Sequence, residues 1–211
     1  MKPLTIGLTG GIGSGKSSVL KLLGKKGFPI LQTDLLGHEL LKNKKIKGIL
    51  ARKMGEAILS PDGEVDRKSL AREVFQDPRK QKTLNELLHP AIRKAVARWI
   101  GQQRGKSCPF LVVEVPLLFE RGYNRRFDRV LSVSAPRAVR RDRLLRRGWN
   151  LEEIRRRELS QWTQAQKNLK SDWVIYNRGS RKDLKYAVDR WLEKAVKETA
   201  PGPVRARRPS I

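Results

Sequence analysis

A short glycine-rich segment near the amino terminus combines the residues and spacing of a phosphate-binding loop. Gly10, Gly15, Lys16 and Ser17 fit the pattern G-x-x-x-x-G-K-[ST]. Glycine permits a tight turn whose N–H groups point at phosphate oxygens, the lysine reaches the β- and γ-phosphates, and the next hydroxyl binds Mg²⁺. We therefore predict that ATP and Mg²⁺ bind at residues Gly11, Ile12, Gly13, Ser14, Gly15, Lys16, Ser17 and Ser18. Within this set Lys16 is predicted to act in catalysis and Ser17 to be a metal ligand.

The sequence around this loop favours the same interpretation. Residues 4–9 are an apolar run of strand length, and apolar residues from Val19 to Leu23 give the next segment one helical face. A helix that begins near Gly15 directs the positive end of its dipole at the same anion. The alternative, a glycine-rich turn that binds nothing, does not require this strand–loop–helix order.

The remaining apolar runs alternate between strand and helix patterns. A second strand is predicted to begin at residues 28–31 and to stop at 32–34, and further strands are predicted at 110–115, 129–134 and 173–176. Residues from about 35 to 104 are predicted to be mostly helical. Alternation of this kind predicts an α/β fold with a parallel sheet and helices on both sides, the three-layer sandwich of P-loop NTPases.

Individual residues predict where several helices begin or end. Gly27 is expected to end the first helix, and Asp66, Asn150 and Ser180 to begin three others. Pro90 is expected in the first turn of a helix, where the missing N–H costs nothing. The final helix carries one apolar stripe that we interpret as packing against the sheet: Leu184, Ala187, Val188, Trp191, Leu192, Ala195 and Val196.

The composition limits the class of protein. A chain of 211 residues accommodates one α/β domain with small inserted lobes. Its single cysteine, Cys108, excludes an internal disulfide and a cysteine-built metal site, and it suits a reducing cytosol. No apolar stretch approaches the length of a membrane span, and the first strand leaves no room for a signal peptide. We expect a soluble, cytoplasmic protein that needs no membrane.

The net charge of +26, from 47 basic and 21 acidic residues, is unusually high. Such a surface attracts polyanions, including nucleotides and, nonspecifically, nucleic acid. A basic proteome or a salt-rich cell explains the same excess without any ligand. The charge alone therefore identifies no partner.

Two carboxylates follow predicted strands, at the edge where open α/β sheets bind their ligands. Asp34 follows the second strand and is a candidate base for an attacking hydroxyl; the alternative is a turn or helix N-cap residue. Glu114 ends the third strand and is a candidate to hold Mg²⁺ through water; the alternative is a structural salt bridge.

A run of arginines is predicted to lie along the helix that begins at Pro136. Residues three and four apart share a helical face, so at least two guanidinium groups point the same way. A kinase lid of this kind binds the transferring phosphate bidentately, and Arg143 and Arg147 are the first candidates for that role. A solvated face is the alternative for the other members, Arg137, Arg140, Arg141 and Arg146.

The chain resembles the dephospho-coenzyme A kinase family in blocks that follow the family's order from residue 4 to about 195. These are Thr9–Ser17 with a strand ending at Asp34, Asp62–Arg67, Leu88–Ile92, Pro116–Glu120, and Gln161, Lys167 and Asp172–Asn177. The phosphate loop alone is shared by many enzymes. The set together is specific, above all His89-Pro90 and Pro116–Glu120.

The resemblance implies ATP-dependent phosphorylation of the ribose 3′-hydroxyl of dephospho-coenzyme A, the last step of coenzyme A biosynthesis. It also implies one domain over residues 1–198, with a helical substrate lobe at about 35–105 and a lid at about 140–170. The basic tail at 199–211 has no counterpart in the family; its prolines and arginines leave it nothing to bury, so we expect it to be disordered. Asp34 matches the family's proposed base. The residues that match the acceptor side are His89, Pro116, Leu117 and Leu118; for His89, capping or packing of a helix is the alternative.

The sequence also departs from the family. Gln32 replaces the first of two aspartates at the end of the second strand, and His38 replaces a common arginine. The lid arginines align ambiguously, because Arg143, Arg146 and Arg147 compete for two positions. Two other functions remain alternatives: a nucleoside or nucleoside-monophosphate kinase, which needs a base-reading pocket, and a nucleic-acid-dependent ATPase, for which no stacking motif is present.

Overall fold

The computed structural model describes residues 3–103 and 105–199. The chain folds into two compact units. Of the described residues, the first unit contains 3–30 and 105–199, and the second contains 31–103. Of the predicted tail at 199–211, residues 200–211 lie outside the described residues, and residue 199 is the last residue of the final helix. None of the described helices is long and apolar enough to cross a membrane.

The described residues form one sheet and a series of helices. The strands are β1 (Leu4–Thr9), β2 (Ile30–Gln32), β3 (Phe110–Glu114), β4 (Arg129–Ser134) and β5 (Trp173–Tyr176). The helices are α1 (Lys16–Lys25), α2 (Thr33–Leu41), α3 (Lys44–Met54), α4 (Arg67–Gln76), α5 (Pro78–Gln102), α6 (Arg137–Leu145), α7 (Leu151–Leu159), α8 (Gln164–Lys170) and α9 (Arg181–Thr199). Short 3₁₀ turns lie at Glu56–Ile58 and Tyr123–Arg126.

The sheet has the strand order β2-β3-β1-β4-β5. β1 pairs in parallel with β3 and with β4, so that Glu114 and Leu131 lie on either side of Leu8. The carboxyl ends of these strands therefore lie at one edge of the sheet, where parallel sheets bind ligands. This arrangement confirms the predicted α/β fold.

The two faces of β1 pack against different layers because alternate side chains point in opposite directions. Ile6 and Leu8 are fully buried in the main core with residues of α1 and α9, including Leu20 and Val188. The predicted stripe of α9 packs there as well, with Ala187 half-buried and Val196 44% exposed. Gly7 faces the other way.

Gly7 leaves no room for a larger residue. A Cβ atom at this position would lie 2.5 Å from Leu118 Cδ1 and 2.7 Å from Phe127 Cδ2. We expect Gly7→Ala to lower the free energy of unfolding by about 1–3 kcal/mol, the usual cost of overpacking a core. Urea denaturation measures this. Gly101→Ala is the control, because a Cβ there meets nothing within 4 Å; equal stabilities for the two variants would contradict the packing.

The second unit is helical and has its own core. Leu41, Leu50, Met54 and Ile58 are buried in a cluster against which α4 and α5 pack. Asn43, Asp66 and Asp77 cap α3, α4 and α5 with their side chains; of the three, only Asp66 was predicted.

The predictions for Pro90 and for the end of the second strand were wrong in detail. α5 begins at Pro78 and runs through Pro90, although an internal proline removes one hydrogen bond. Leu87 and Ala91, on either side of it, pack against the core and hold the helix together. β2 ends at Gln32 and α2 begins at Thr33, so Asp34 lies in the first turn of a helix rather than in a loop.

Candidate nucleotide-binding site

The phosphate loop leaves the central strand β1 and leads directly into α1. Gly13 and Gly15 have φ angles of 75° and 97°, in the left-handed region that favours glycine. A Cβ at Gly13 would lie 2.8 Å from the carbonyl oxygen of Arg140, and a Cβ at Gly15 would collide with the Asn177 side-chain amide. The loop is therefore compact because α6 and the end of β5 lie against it.

The start of α1 concentrates positive charge at this loop. The Lys16 ammonium lies over the loop and donates to the carbonyl oxygens of Gly10, at 3.0 Å, and Gly11, at 3.3 Å. The first N–H groups of a helix have no partner within the helix, and they attract anions together with its dipole. Ser17 is the second residue of the helix and is exposed.

The predicted nucleotide-binding residues differ in how their N–H groups are engaged. The Gly11 N–H donates to Gln164 Oε1 at 2.9 Å, and the Ser14 N–H donates to the Gly11 carbonyl at 3.1 Å. Both groups thus stabilise the loop itself. Ser14 is fully buried, whereas Ser18 is exposed and lines a cavity.

Side chains from the β4 and β5 side of the sheet hold the loop in this shape. Arg140, only 8% exposed, donates to the Ile12 carbonyl at 3.2 Å and forms an ion pair with Glu158 at 3.0 Å. The Asn177 amide donates to the Ser14 carbonyl at 2.8 Å. The sequence alone indicates a separate role for neither Arg140 nor Asn177. Arg140 was one of six arginines in a run, and Asn177 ended a block of the family resemblance.

Of the two predicted lid arginines, Arg143 lies directly at the loop. It donates to Asn177 Oδ1 at 3.1 Å and to the Ser14 carbonyl at 3.5 Å. Burial and the neighbouring charge of Arg147 lower the pKa of the Arg143 guanidinium, while Asp142 acts in the opposite direction. Arg147 lies two residues beyond the last residue of α6, since that helix ends at Leu145.

A cavity of about 510 Å³ opens beside the loop. This volume is in the range of small-molecule sites. Its lining, as far as the described residues show, contains cations and no carboxylate: Gly15, Ser18, Lys21, Leu22, Lys25, Arg143, Arg147, Asn177, Gly179, Ser180, Arg181 and Leu184. The charge and the apolar surface of the two leucines suit an anionic ligand with one apolar part.

The predicted metal ligands have the chemistry that Mg²⁺ prefers. Glu114 is the last residue of β3, is 9% exposed and pairs in register with Leu8, just before the loop. Mg²⁺ is held by one or two protein oxygens with phosphates and water, so a Ser17 hydroxyl and a Glu114 carboxylate fit it. The described residues contain no cluster of three or more His, Cys, Asp or Glu side chains that would bind a metal without phosphate.

The predicted acceptor-side residues are divided between the units. Pro116 and Leu117, after β3, are half-buried, whereas Leu118 is fully buried against Gly7. Leu118 therefore packs against β1 and does not face solvent. In this segment, Pro116 and Leu117 remain the residues predicted to contact the acceptor. In the second unit, Asp34 is exposed in the first turn of α2 and His89 is half-buried in the middle of α5.

Fold and loop together define the class of protein, an α/β P-loop protein. A solved shikimate kinase from Bacteroides thetaiotaomicron has the same fold, with a TM-score of 0.50 at 14% identity over 91% of this chain and 98% of that chain. Within this class the chain belongs to the dephospho-CoA kinase family, whose family model matches residues 4–183.

Individual relatives agree with this assignment. The dephospho-CoA kinase of Enterococcus faecalis is 35% identical over 90% of this chain and 96% of its own length. That of Helicobacter pylori is 38% identical over 89% and 95%. The crystal structure of TT1252 from Thermus thermophilus has a TM-score of 0.80 at 35% identity over 96% of this chain and 100% of that chain. For the Campylobacter jejuni dephospho-CoA kinase the TM-score is 0.70 at 25% identity, over 92% and 98%.

Proposed function

We propose that this protein transfers the γ-phosphoryl group of ATP to the ribose 3′-hydroxyl of dephospho-CoA, giving CoA and ADP. The observation that carries the proposal is the match of the dephospho-CoA kinase family over residues 4–183, on a chain that builds a complete phosphate loop. The reaction is the last step of coenzyme A biosynthesis, and we place it in the cytoplasm.

The nucleotide lies along the amino end of α1. In our proposal the β- and γ-phosphates of ATP occupy the phosphate loop, where Lys16 replaces its bonds to Gly10 and Gly11 with bonds to phosphate oxygens. The adenosine part enters the cavity beside the loop, which begins at Gly15 and Ser18 and offers an apolar surface.

Phosphoryl transfer needs charge neutralisation and in-line positioning more than covalent chemistry. Arg143 is the leading candidate to bind the transferring phosphoryl group, because it already contacts the loop at Ser14. Arg147 is the second candidate, from its place beside Arg143 in the cavity wall. A guanidinium binds two phosphate oxygens at once, which also fixes their orientation.

Mg²⁺ is the metal that this chemistry requires. Ser17 would bind it directly and Glu114 through water; both are oxygen donors on the two sides of the β1–α1 turn. When bound, the ion would supply positive charge to the phosphates of ATP.

The acceptor is activated by Asp34 in our proposal. The carboxylate follows β2, is exposed, and matches the family's proposed base. It would accept the proton of the ribose 3′-hydroxyl as that oxygen attacks phosphorus. In the helical unit, His89 matches the family's acceptor side, and in the first unit Pro116 and Leu117 match it. Residues from about 140 to 170 would act as the lid.

A coupled assay of ADP release tests the proposal. Dephospho-CoA, nucleoside monophosphates and RNA are added separately to the protein with Mg²⁺ and ATP. We expect ADP release only in the reaction to which dephospho-CoA is added. Release stimulated only by a nucleoside monophosphate would indicate the related kinase class, and release stimulated only by RNA would indicate a nucleic-acid-dependent ATPase.

A further inference from the structure

Lys167 carries a charge that is completely enclosed by the protein. Its side chain is 0% exposed, and its ammonium lies 2.9 Å from Glu120 Oε1 and 2.8 Å from the Pro116 carbonyl oxygen, to which it donates. Burial lowers the pKa of this ammonium, and the bond and charge of Glu120 act in the opposite direction. None of the steps proposed above uses this group.

The ammonium joins three separate segments of the first unit. Pro116 and Glu120 bound the segment 116–120, which follows β3. The Pro116 carbonyl also accepts a hydrogen bond from the Thr9 hydroxyl at 3.2 Å. Thr9 is the last residue of β1 before the phosphate loop. Glu120 Oε1 also accepts the Trp162 N–H at 2.8 Å, from the turn before α8. The ring of Phe119 stacks on that of Trp162, with centroids 5.5 Å apart and planes at 8°.

Stability does not explain why a charge pair occupies this position. A buried ion pair often contributes less than apolar residues of the same volume, because both charges lose their hydration. Glu120 Oε2 is also buried and has no hydrogen-bond partner among the described residues. What the pair supplies is fixed geometry, since one ammonium orients two groups of the segment 116–120 at once.

The position of this segment in the sheet points to the acceptor rather than to ATP. Arg140 and Asn177, which hold the phosphate loop, come from the β4 and β5 side of β1. The segment 116–120 follows β3, on the opposite side of β1. Helix α8 serves both sides: Gln164 accepts the N–H of Gly11 in the loop, and Lys167, three residues later on the same face, reaches the segment 116–120.

We propose that Lys167 is a positioning residue for the acceptor. Its ammonium holds the segment 116–120 against β1, so that Pro116 and Leu117 present a fixed surface to dephospho-CoA. The inference rests on the proposed function, because it assigns the β3 side of the phosphate loop to the acceptor.

Steady-state kinetics of Lys167→Met test this role. We expect the KM for dephospho-CoA to rise roughly tenfold to a hundredfold and the KM for ATP to stay within about twofold, since misplaced binding groups affect the ligand that they touch. Gln164→Leu should instead raise the KM for ATP and leave the KM for dephospho-CoA nearly unchanged, because Gln164 accepts the N–H of Gly11 in the phosphate loop. Lys170→Met is the matched control, because it makes the same change at an exposed position of the same helix.

Glu120→Gln decides the matter if Lys167→Met does not fold. It keeps the size of the side chain and removes its negative charge, and we expect a smaller rise in the KM for dephospho-CoA with the KM for ATP again nearly unchanged. Calorimetric titration of dephospho-CoA without ATP should show the same loss of affinity. Equal changes in both KM values, or none in either, would overturn the inference alone. Absence of turnover by the unmodified protein would overturn the proposed function and the inference with it.

Discussion

Replacing Lys16 by alanine should reduce kcat by about 10²–10³-fold, the usual loss when one charged donor to the transition state is removed. The ammonium lies over the phosphate loop, within 3.3 Å of two of its carbonyl oxygens. From this position it is well placed to stabilise the negative charge that develops on the γ-phosphate during transfer. ATP binding should weaken as well, because Lys16 binds phosphate in the ground state too. Single-turnover rates and ATP titrations measure the two effects separately.

Lys185→Ala is the control for this experiment. Lys185 is an exposed lysine of α9, so its removal lowers the net charge equally without touching the loop. If both variants lost the same small fraction of activity, general electrostatic attraction rather than a specific phosphate contact would explain the effect.

Asp34→Asn should reduce kcat by roughly 10²-fold or more and leave ATP binding nearly intact, as expected for the loss of a general base. Asparagine keeps the size and the hydrogen-bonding oxygen of the side chain, but it cannot take up the proton of the ribose hydroxyl. Initial rates at saturating substrates measure this change.

The competing role for Asp34 is structural, since a carboxylate in the first turn of a helix interacts favourably with the helix dipole. Glu39→Gln, in the same helix α2 and exposed, removes a carboxylate without a proposed catalytic role. An unchanged kcat in Asp34→Asn, with a lowered melting temperature, would assign Asp34 to that structural role.

Much of the fold was predictable because its signals are local. The strand Phe110–Glu114, an apolar run that ends in a carboxylate, is buried at every position, and the strands at Arg129–Ser134 and Trp173–Tyr176 have the predicted bounds. The phosphate loop was predictable for the same reason: glycine, lysine and serine at fixed spacing carry their own geometry.

Features that depend on tertiary packing were not predictable in this way. Pro90 was expected to begin a helix, since proline lacks the N–H that a helix interior uses. Its neighbours Leu87 and Ala91 pack against the core of the second unit, and this contact continues the helix through the proline. The length of α5 is therefore a property of the packed unit rather than of the local sequence.

The residues that shape the site were missed for a related reason. Gln164 is hydrogen-bonded to Gly11 of the loop although 153 positions of sequence separate them, and Arg140 is hydrogen-bonded to Ile12 over a separation of 128 positions. No spacing rule connects residues so far apart, and a glutamine or an arginine within a polar helix is typical of a solvated face. Only the folded chain places these side chains against the backbone of the phosphate loop.

Identification of the product formed from ATP and dephospho-CoA tests the central proposal most directly. The protein is incubated with both substrates and Mg²⁺, and the product is analysed by ³¹P NMR and mass spectrometry. We predict one new phosphomonoester, on the ribose 3′-oxygen, formed in equal amount to ADP. A phosphate at another position, or ADP formed without any new phosphomonoester, would contradict the proposal.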